Sequence, residues 1–299
     1  MNGRPHEHLL LDRRAVARAF DRASASYDDA AALQEQVRNE LLARLEELPA
    51  KPGAVLDLGA GTGHASRALK RRFPAATVVA VDIAPGMLER ARAQSRWLRR
   101  FERVRADAYA LPFRDHAFDL VFSSLMLQWC DDLDAVFAEM ARVLKPGGLL
   151  LFSTFGPGTL AELREAWAAS DAQRHDVADH VIHFFDPHDL GSALMHAGFA
   201  EPVLDVDRVV LRYADTMSLM RELKAIGASN ASRGRARGLT SPRRLAAMNE
   251  AYERFRSEGT LPATYEVIHA TAWGGERKTR EFPGETVISA SAIRRRGQN

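Results

Sequence analysis

The sequence predicts an α/β fold built on a doubly wound, mostly parallel sheet with an antiparallel edge hairpin. Three observations carry that expectation. Between residues 54 and 155, short apolar or β-branched runs alternate with helical segments, the signature of βαβ units. The first of these runs breaks into a glycine loop directly before a helix, and acidic side chains recur at the ends of the runs that follow.

Ahead of the sheet, residues 12–48 are rich in Ala, Leu, Glu and Arg, with Leu33, Val37, Leu41 and Leu45 at helical spacing. An interruption at 24–29 predicts two helices kinked around Tyr27. Pro49 and the turn Lys51, Pro52, Gly53 end them. Strands are then expected at "AVLDLG", "TVVAVDI", "VRADA", "FDLVFSS" and "GGLLLFSTF", with helices over 64–73, 87–97 and 133–144. Beyond Phe155, helical patterns at 159–170 and 187–197 flank a polar, His-bearing segment. The runs at 202–213 and 263–274 read as the antiparallel edge pair, separated by helices over 216–226 and 241–257.

Composition narrows the class. At 299 residues, 46% hydrophobic and 27% charged, the chain has ordinary globular proportions and enough length for a large core. A formal net charge of +2 is too small to argue for nucleic acid. No apolar run reaches the ~18 residues of a membrane span, and the start lacks an apolar core of signal-peptide length. Cys130, the single cysteine, rules out an internal disulfide framework. The expectation is a cytoplasmic monomer with neither a membrane nor a nucleic-acid partner.

In "VLDLGAGTGHA" (55–65) the glycines stand at Gly59, Gly61 and Gly63, followed by His64. The dinucleotide fingerprint G-x-G-x-x-G places its third glycine one residue later, so this spacing does not best support a pyrophosphate cradle. No Gly-Lys-Ser/Thr follows, which excludes the Walker pattern more firmly. Asp82, ending the next run, suits the two hydroxyls of a ribose, and Asp107, ending the one after, suits the exocyclic amine of adenine. Singly, either acid reads equally well as a turn or capping residue. Together they fall where open α/β sheets bind ligands, at the carboxyl ends of strands.

These stretches, with "VVAVDIAPGML", "ADAYALPF", "FDLVFSSLMLQW" and "RVLKPGGLLLFSTF", closely resemble the successive motifs of the Rossmann-like class I S-adenosylmethionine-dependent methyltransferases. The resemblance covers about residues 20–155. It implies S-adenosylmethionine as cofactor, with Gly59, Ala60 and Gly61 near the methionine part, Asp82 on the ribose, and Ile83 and Met87 packed on adenine. Asp107 and Ala108 would meet the adenine edge, and Ser123 would join the cofactor-binding set. "FDRASASYD" (20–28) is similar to the family's amino-terminal lid and places Tyr27 over the cofactor.

The end of the fourth strand, "SSLMLQW", lacks the Pro-Pro motif frequent in enzymes that methylate amino groups of bases or glutamine. The later stretches "LQWCDDL", "FSTFGPGTLAELREAW", "HFFDPHDLGSALMHAGFAEPVLDVD", "LMRELKAIGASN" and "GTLPATYEVIHATAWG" look like the malonyl-acyl-carrier-protein O-methyltransferases of biotin synthesis. That resemblance implies methylation of the free carboxylate of a malonyl thioester on acyl carrier protein, with coenzyme A as another carrier. No general base is expected, because a carboxylate is already ionised at neutral pH and only alignment is needed. Gln128, Trp129, Lys224 and Asn230 are the candidate substrate-binding residues, and Tyr27, Phe155 and the 171–185 segment are candidates for a lid that excludes water. The expected organisation is one methyltransferase domain over 1–299: a helical lid (1–50), a cofactor-binding core (51–155), substrate-side elements (156–273) with a helical insertion (214–260), and a tail (274–299).

Three readings compete. Methylation of a small polycarboxylate such as trans-aconitate shares the cofactor and the carboxylate acceptor. A cofactor-binding assembly factor would share the fold without this activity, and a hydride-transfer dehydrogenase is disfavoured by the glycine spacing. The basic stretch at 232–244 reads as solvated surface or as a docking face for an anionic carrier. His175, His180, His183 and His188 match no zinc spacing, so no metal is expected. Cys130 reads as a small packed residue.

Overall fold

The computed structural model describes residues 10–48, 51–95, 100–172, 179–235, 238 and 240–275. The chain opens with α1 (Arg13–Ala23), α2 (Tyr27–Ala30) and α3 (Ala32–Glu47), then β1 (Ala54–Leu58), α4 (His64–Arg72), β2 (Thr77–Asp82), α5 (Pro85–Gln94) and β3 (Glu102–Arg105). It continues through β4 (Phe118–Ser124), α6 (Leu133–Val143), β5 (Leu144–Phe155), α7 (Ala161–Ala172) and α8 (Pro187–His196). β6 (Phe199–Tyr213), α9 (Thr216–Ala225), α10 (Pro242–Glu253) and β7 (Leu261–Gly274) complete it.

The strands form one seven-stranded sheet in the order β3-β2-β1-β4-β5-β7-β6. β3 through β5 are parallel, and β7 pairs antiparallel with both β5 and β6. The strand order reverses between β1 and β4, the position at which open α/β sheets leave a crevice.

Alternating residues of the central strands feed two cores, as period-2 geometry demands. Leu56, Val121, Leu150 and Phe152 pack with Phe137 and Met140 of α6 on one face. Val55, Leu120, Phe122 and Leu151 pack with Leu41 and Leu45 of α3 and Leu69 of α4 on the other. Most of these side chains are fully buried, and each burial contributes on the order of 2 kcal/mol. A third cluster joins Leu33 and Val37 of α3 to Phe155, Trp167, Leu219, Tyr252 and Tyr265, under the elements that follow β5.

The structure departs from the expected elements in places. The expected pair of amino-terminal helices is three, because the chain breaks at residues 24–26 and again at Ala31. β3 ends at Arg105, so Asp107 lies in the loop beyond it and not on the strand end. β5 begins at Leu144, before Gly147 and Gly148, and absorbs them through a shift in register between Phe118 and Leu120 of β4. Trp97, the expected end of α5, lies outside the described residues, as do His175, most of the 171–178 stretch, Arg237 and the tail from 276.

Candidate functional site

Three cavities meet at the β1/β4 crevice. The first lies over the glycine loop, the second beside the ends of β2 and β3, and the third beyond β4 under the later helices. Gly59 lines the first and second, Gln34 the first and third, and Trp129 the second and third.

The loop between β1 and α4 is pinned by its amides. The Gly59 and Ala60 N–H groups donate to the Val81 carbonyl at 2.8 and 2.9 Å, and the Gly61 N–H donates to the Asp82 carboxylate at 2.9 Å. Gly61 takes a φ of +53°, and a Cβ placed there would meet nothing within 4 Å. The loop therefore presents bare backbone to open space, the arrangement a closely approaching ligand needs. Asp82 also accepts from Ala84 N–H at 2.8 Å. Burial raises its pKa, and the Ala84, Gly61 and Ile83 amides oppose that rise.

Asp57, unassigned in the sequence reading, also lines the first cavity, and only 1% of it is exposed. Burial pushes its carboxyl up to about 7, against the hydrogen bond from the Ser66 hydroxyl and with the help of nearby Asp82. Its signal was an acid inside an otherwise apolar strand. The native state thus holds a proton on Asp57 that the unfolded chain releases near pH 4, so this contribution to stability is present below that pH and lost as pH rises to about 7. In the ligand-free protein, Asp57→Asn is expected to flatten the decline of Tm between pH 5 and 8, as read by thermal melts across that range.

The amino-terminal helices roof the first two cavities. Tyr27 lines the first, and burial, aided by Asp82 and Asp28, raises its pKa and keeps it a phenol. Asp28 accepts from the Thr62 hydroxyl at 2.6 Å and lies 3.3 Å from His64 Nε2. Asp21 accepts from Gly86 N–H at 2.6 Å, and Arg13 reaches Asp107 at 3.3 Å while stacking over the Tyr109 ring. On the other side, Asp12 N–H donates to the Ala231 carbonyl at 2.9 Å and Ser26 Oγ to the Ala225 carbonyl at 2.9 Å.

The second cavity is lined by Asp82, Ile83, Asp107 and Ala108, with Met126 and Cys130 opposite. Two sequence candidates stand elsewhere. Met87 is fully buried in α5 and does not line it. Ser123 is buried inside the sheet, where its hydroxyl donates to the Leu58 carbonyl at 2.8 Å; Ser124, one residue on, faces the first cavity. Burial pushes the Cys130 thiol up to about 12, which leaves it unreactive.

The third cavity is walled by apolar side chains including Phe155, Leu163, Ile182 and Phe184, and contains Gln128, Trp129, His180 and Asn230. Gln128 is fixed by donating to the Leu125 carbonyl at 2.6 Å. Trp129 meets Phe20 of α1 edge to face at 5.1 Å. Asn230 donates to the Asp179 carbonyl and accepts from Ser232 N–H at 2.9 Å. Lys224 does not join them: it is exposed on α9, whereas its neighbours Leu223 and Ile226 line the cavity. His180 was not among the expected binding residues.

With the crevice defined, comparison with known proteins identifies the family. A family described as "Methyltransferase domain" matches residues 56–152. A malonyl-acyl-carrier protein O-methyltransferase from Halorhodospira halophila is 48% identical, the match covering 98% of this chain and 99% of that one. The chain belongs to that family. A second member, from Methylovorus sp., is 49% identical over 88% of this chain and 90% of its own. Among solved structures, the phosphoethanolamine N-methyltransferase 2 of Haemonchus contortus, in complex with S-adenosyl-L-methionine, has a TM-score of 0.55 at 20% identity, covering 86% of this chain and 57% of that one.

The family is enzymatic, and its cofactor is S-adenosylmethionine. The residues present fit that group. The first cavity pairs bare loop backbone with the carboxyl groups of Asp57 and Glu35, suited to an amino-acid end. The second offers an apolar slot flanked by Asp82 and Asp107, suited to a nucleoside. Among the described residues no helix is long and apolar enough to cross a membrane.

Proposed function

We propose that the chain methylates the free carboxylate of a malonyl thioester on acyl carrier protein, an early step of biotin synthesis, acting as a cytoplasmic monomer without nucleic-acid or membrane partners. The observation that carries this reading is near-full-length identity to proteins of that name, together with an apolar cavity adjoining the cofactor crevice at Trp129.

In this reading Gly59, Ala60, Gly61 and Tyr27 hold the methionine part of the cofactor. Asp82 accepts the ribose hydroxyls, and Ile83, Asp107 and Ala108 take the adenine. Bound, the cofactor supplies an electrophilic methyl group. The chain's task is to orient the acceptor oxygen toward it, which is a proximity effect. Gln128, Trp129 and Asn230 shape the acceptor cavity from β4's end and from the loop after α9. The roof of α1 and α2 excludes water, leaving a weakly screened site for two oppositely charged reactants. An ionised carboxylate requires no general base.

Incubating the protein with methyl-labelled S-adenosylmethionine and malonyl-loaded carrier protein is expected to add one methyl mass to the carrier. The same incubation with trans-aconitate is expected to give no comparable turnover. Cofactor binding without mass gain on the carrier overturns the substrate and leaves the fold untouched.

A further inference from the structure

We propose that His180 recognises the free carboxylate of the acceptor, and that Trp167, Asp171 and Arg244 are positioning residues that hold its ring. This deepens the functional reading above and rests on it. Among the described residues lining the third cavity, His180 is the only side chain able to carry a positive charge. An acceptor with a free carboxylate brings a full negative charge into that largely apolar space, at high cost without a partner.

The ring is fixed from three sides. It stacks on the Trp167 indole with centroids 4.0 Å apart and planes within 6°. Its Nε2 lies 2.9 Å from Asp171 Oδ2. The preceding residue, Asp179, accepts from Asn230 through its carbonyl and from Ser232 Oγ at 3.1 Å through its carboxylate. An ionised carboxylate only accepts, so Nε2 carries the hydrogen. Arg244 Nη2, 3.1 Å from Nε2, is directed instead to Asp171 Oδ1 at 2.5 Å. The opposite nitrogen, Nδ1, has no hydrogen-bond partner among the described residues, and it is the atom assigned to the acceptor.

Hydrogen-bond geometry favours a protonated ring in the complex. Among the described residues Asp171 pairs with Arg244, and both are about nine-tenths buried. A neutral ring with its hydrogen on Nε2 can only accept at Nδ1, whereas an imidazolium donates from both nitrogens and gives the acceptor carboxylate a partner. Among the described residues of the same segment, Asp179 and His183 are also charged or titratable, 3.7 Å apart. Tyr265, which also lines the cavity, is kept a phenol chiefly by burial. Once the carboxylate is an ester, the charge-assisted hydrogen bond at Nδ1 is lost, which favours release.

The test compares malonyl- and acetyl-loaded carrier protein, which differ in the carboxylate alone, at saturating S-adenosylmethionine. The readout is the ratio of the inhibition constant of the acetyl carrier to the KM of the malonyl carrier. In His180→Leu and His180→Gln this ratio is expected to fall on the order of 10- to 100-fold, the worth of a hydrogen bond to a charged group. Cofactor affinity is expected to be unchanged, and KM to move more than kcat. Should the leucine variant fail to fold, the glutamine variant decides, since its amide still donates to Asp171. An unchanged ratio in a folded, cofactor-binding His180→Gln overturns the assignment while wild-type methylation of the malonyl carrier preserves the functional reading. Absence of wild-type methylation overturns that reading and this one with it.

Discussion

Asp82→Ala is expected to lower affinity for S-adenosylmethionine by at least about 100-fold, because two hydrogen bonds to a charged carboxylate are removed together. Isothermal titration is the measurement. The loss has a second source inside the protein. The same carboxylate accepts from Gly61 and Ala84 N–H at 2.9 and 2.8 Å, so its removal frees the loop that must present its backbone to the cofactor. A fold intact by thermal melt with unchanged affinity would remove the ribose role. Asp82→Asn separates the two sources, since its amide oxygen still serves one loop amide while the charge is gone.

Gly63→Ala is expected to destabilise the protein by about 2–4 kcal/mol, combining the strain of a left-handed non-glycine residue with overpacking. Gly63 caps α4 at a φ of +85°, and an added Cβ would stand 2.8 Å from Ala91 Cβ, 3.0 Å from Ala91 Cα and 3.1 Å from the Phe101 ring. Ala91 belongs to α5, so two helices approach one another at this glycine. Urea titration would report the effect as a lower midpoint with an unchanged slope. A loss under 1 kcal/mol would mean that α5 shifts freely to make room.

The parts of the fold legible in the sequence are those in which one short stretch specifies its own geometry. "FDLVFSS" reads as a strand and is β4, Phe118–Ser124, residue for residue. The glycine loop and Asp82 are equally local, since a turn, a positive φ and a strand end can be read from neighbours. Side-chain direction is less forgiving. In a strand a one-residue error reverses the face, which is why Ser123 was expected where Ser124 lines the cavity. On α9 a similar error in phase separates exposed Lys224 from Leu223 and Ile226.

Contacts between distant stretches left no local trace. Arg244 reads as part of a solvated basic run, yet it is paired with Asp171, 73 residues earlier, and is nine-tenths buried. His180 reads as one of four histidines clustered in sequence without a metal spacing until α7 supplies Trp167 and Asp171 around it. Asp57 was visible as an acid among leucines, and only its burial beside Ser66 and Asp82 gives it an unusual proton affinity.

The double anchorage of the amino-terminal helices sets how the two reactants communicate. The stretch 12–28 is tied through Asp21 to Gly86 at the start of α5 and through Asp28 to Thr62 of the glycine loop, and through Asp12 and Ser26 to main-chain carbonyls next to the third cavity. Free energy that one ligand contributes to seating this roof is free energy the next ligand need not supply. Such linkage is reciprocal: the factor by which cofactor sharpens acceptor binding equals the factor by which acceptor sharpens cofactor binding. Cavities that share only Gln34 and Trp129 across the two sides are thereby expected to bind their ligands as a cooperative pair.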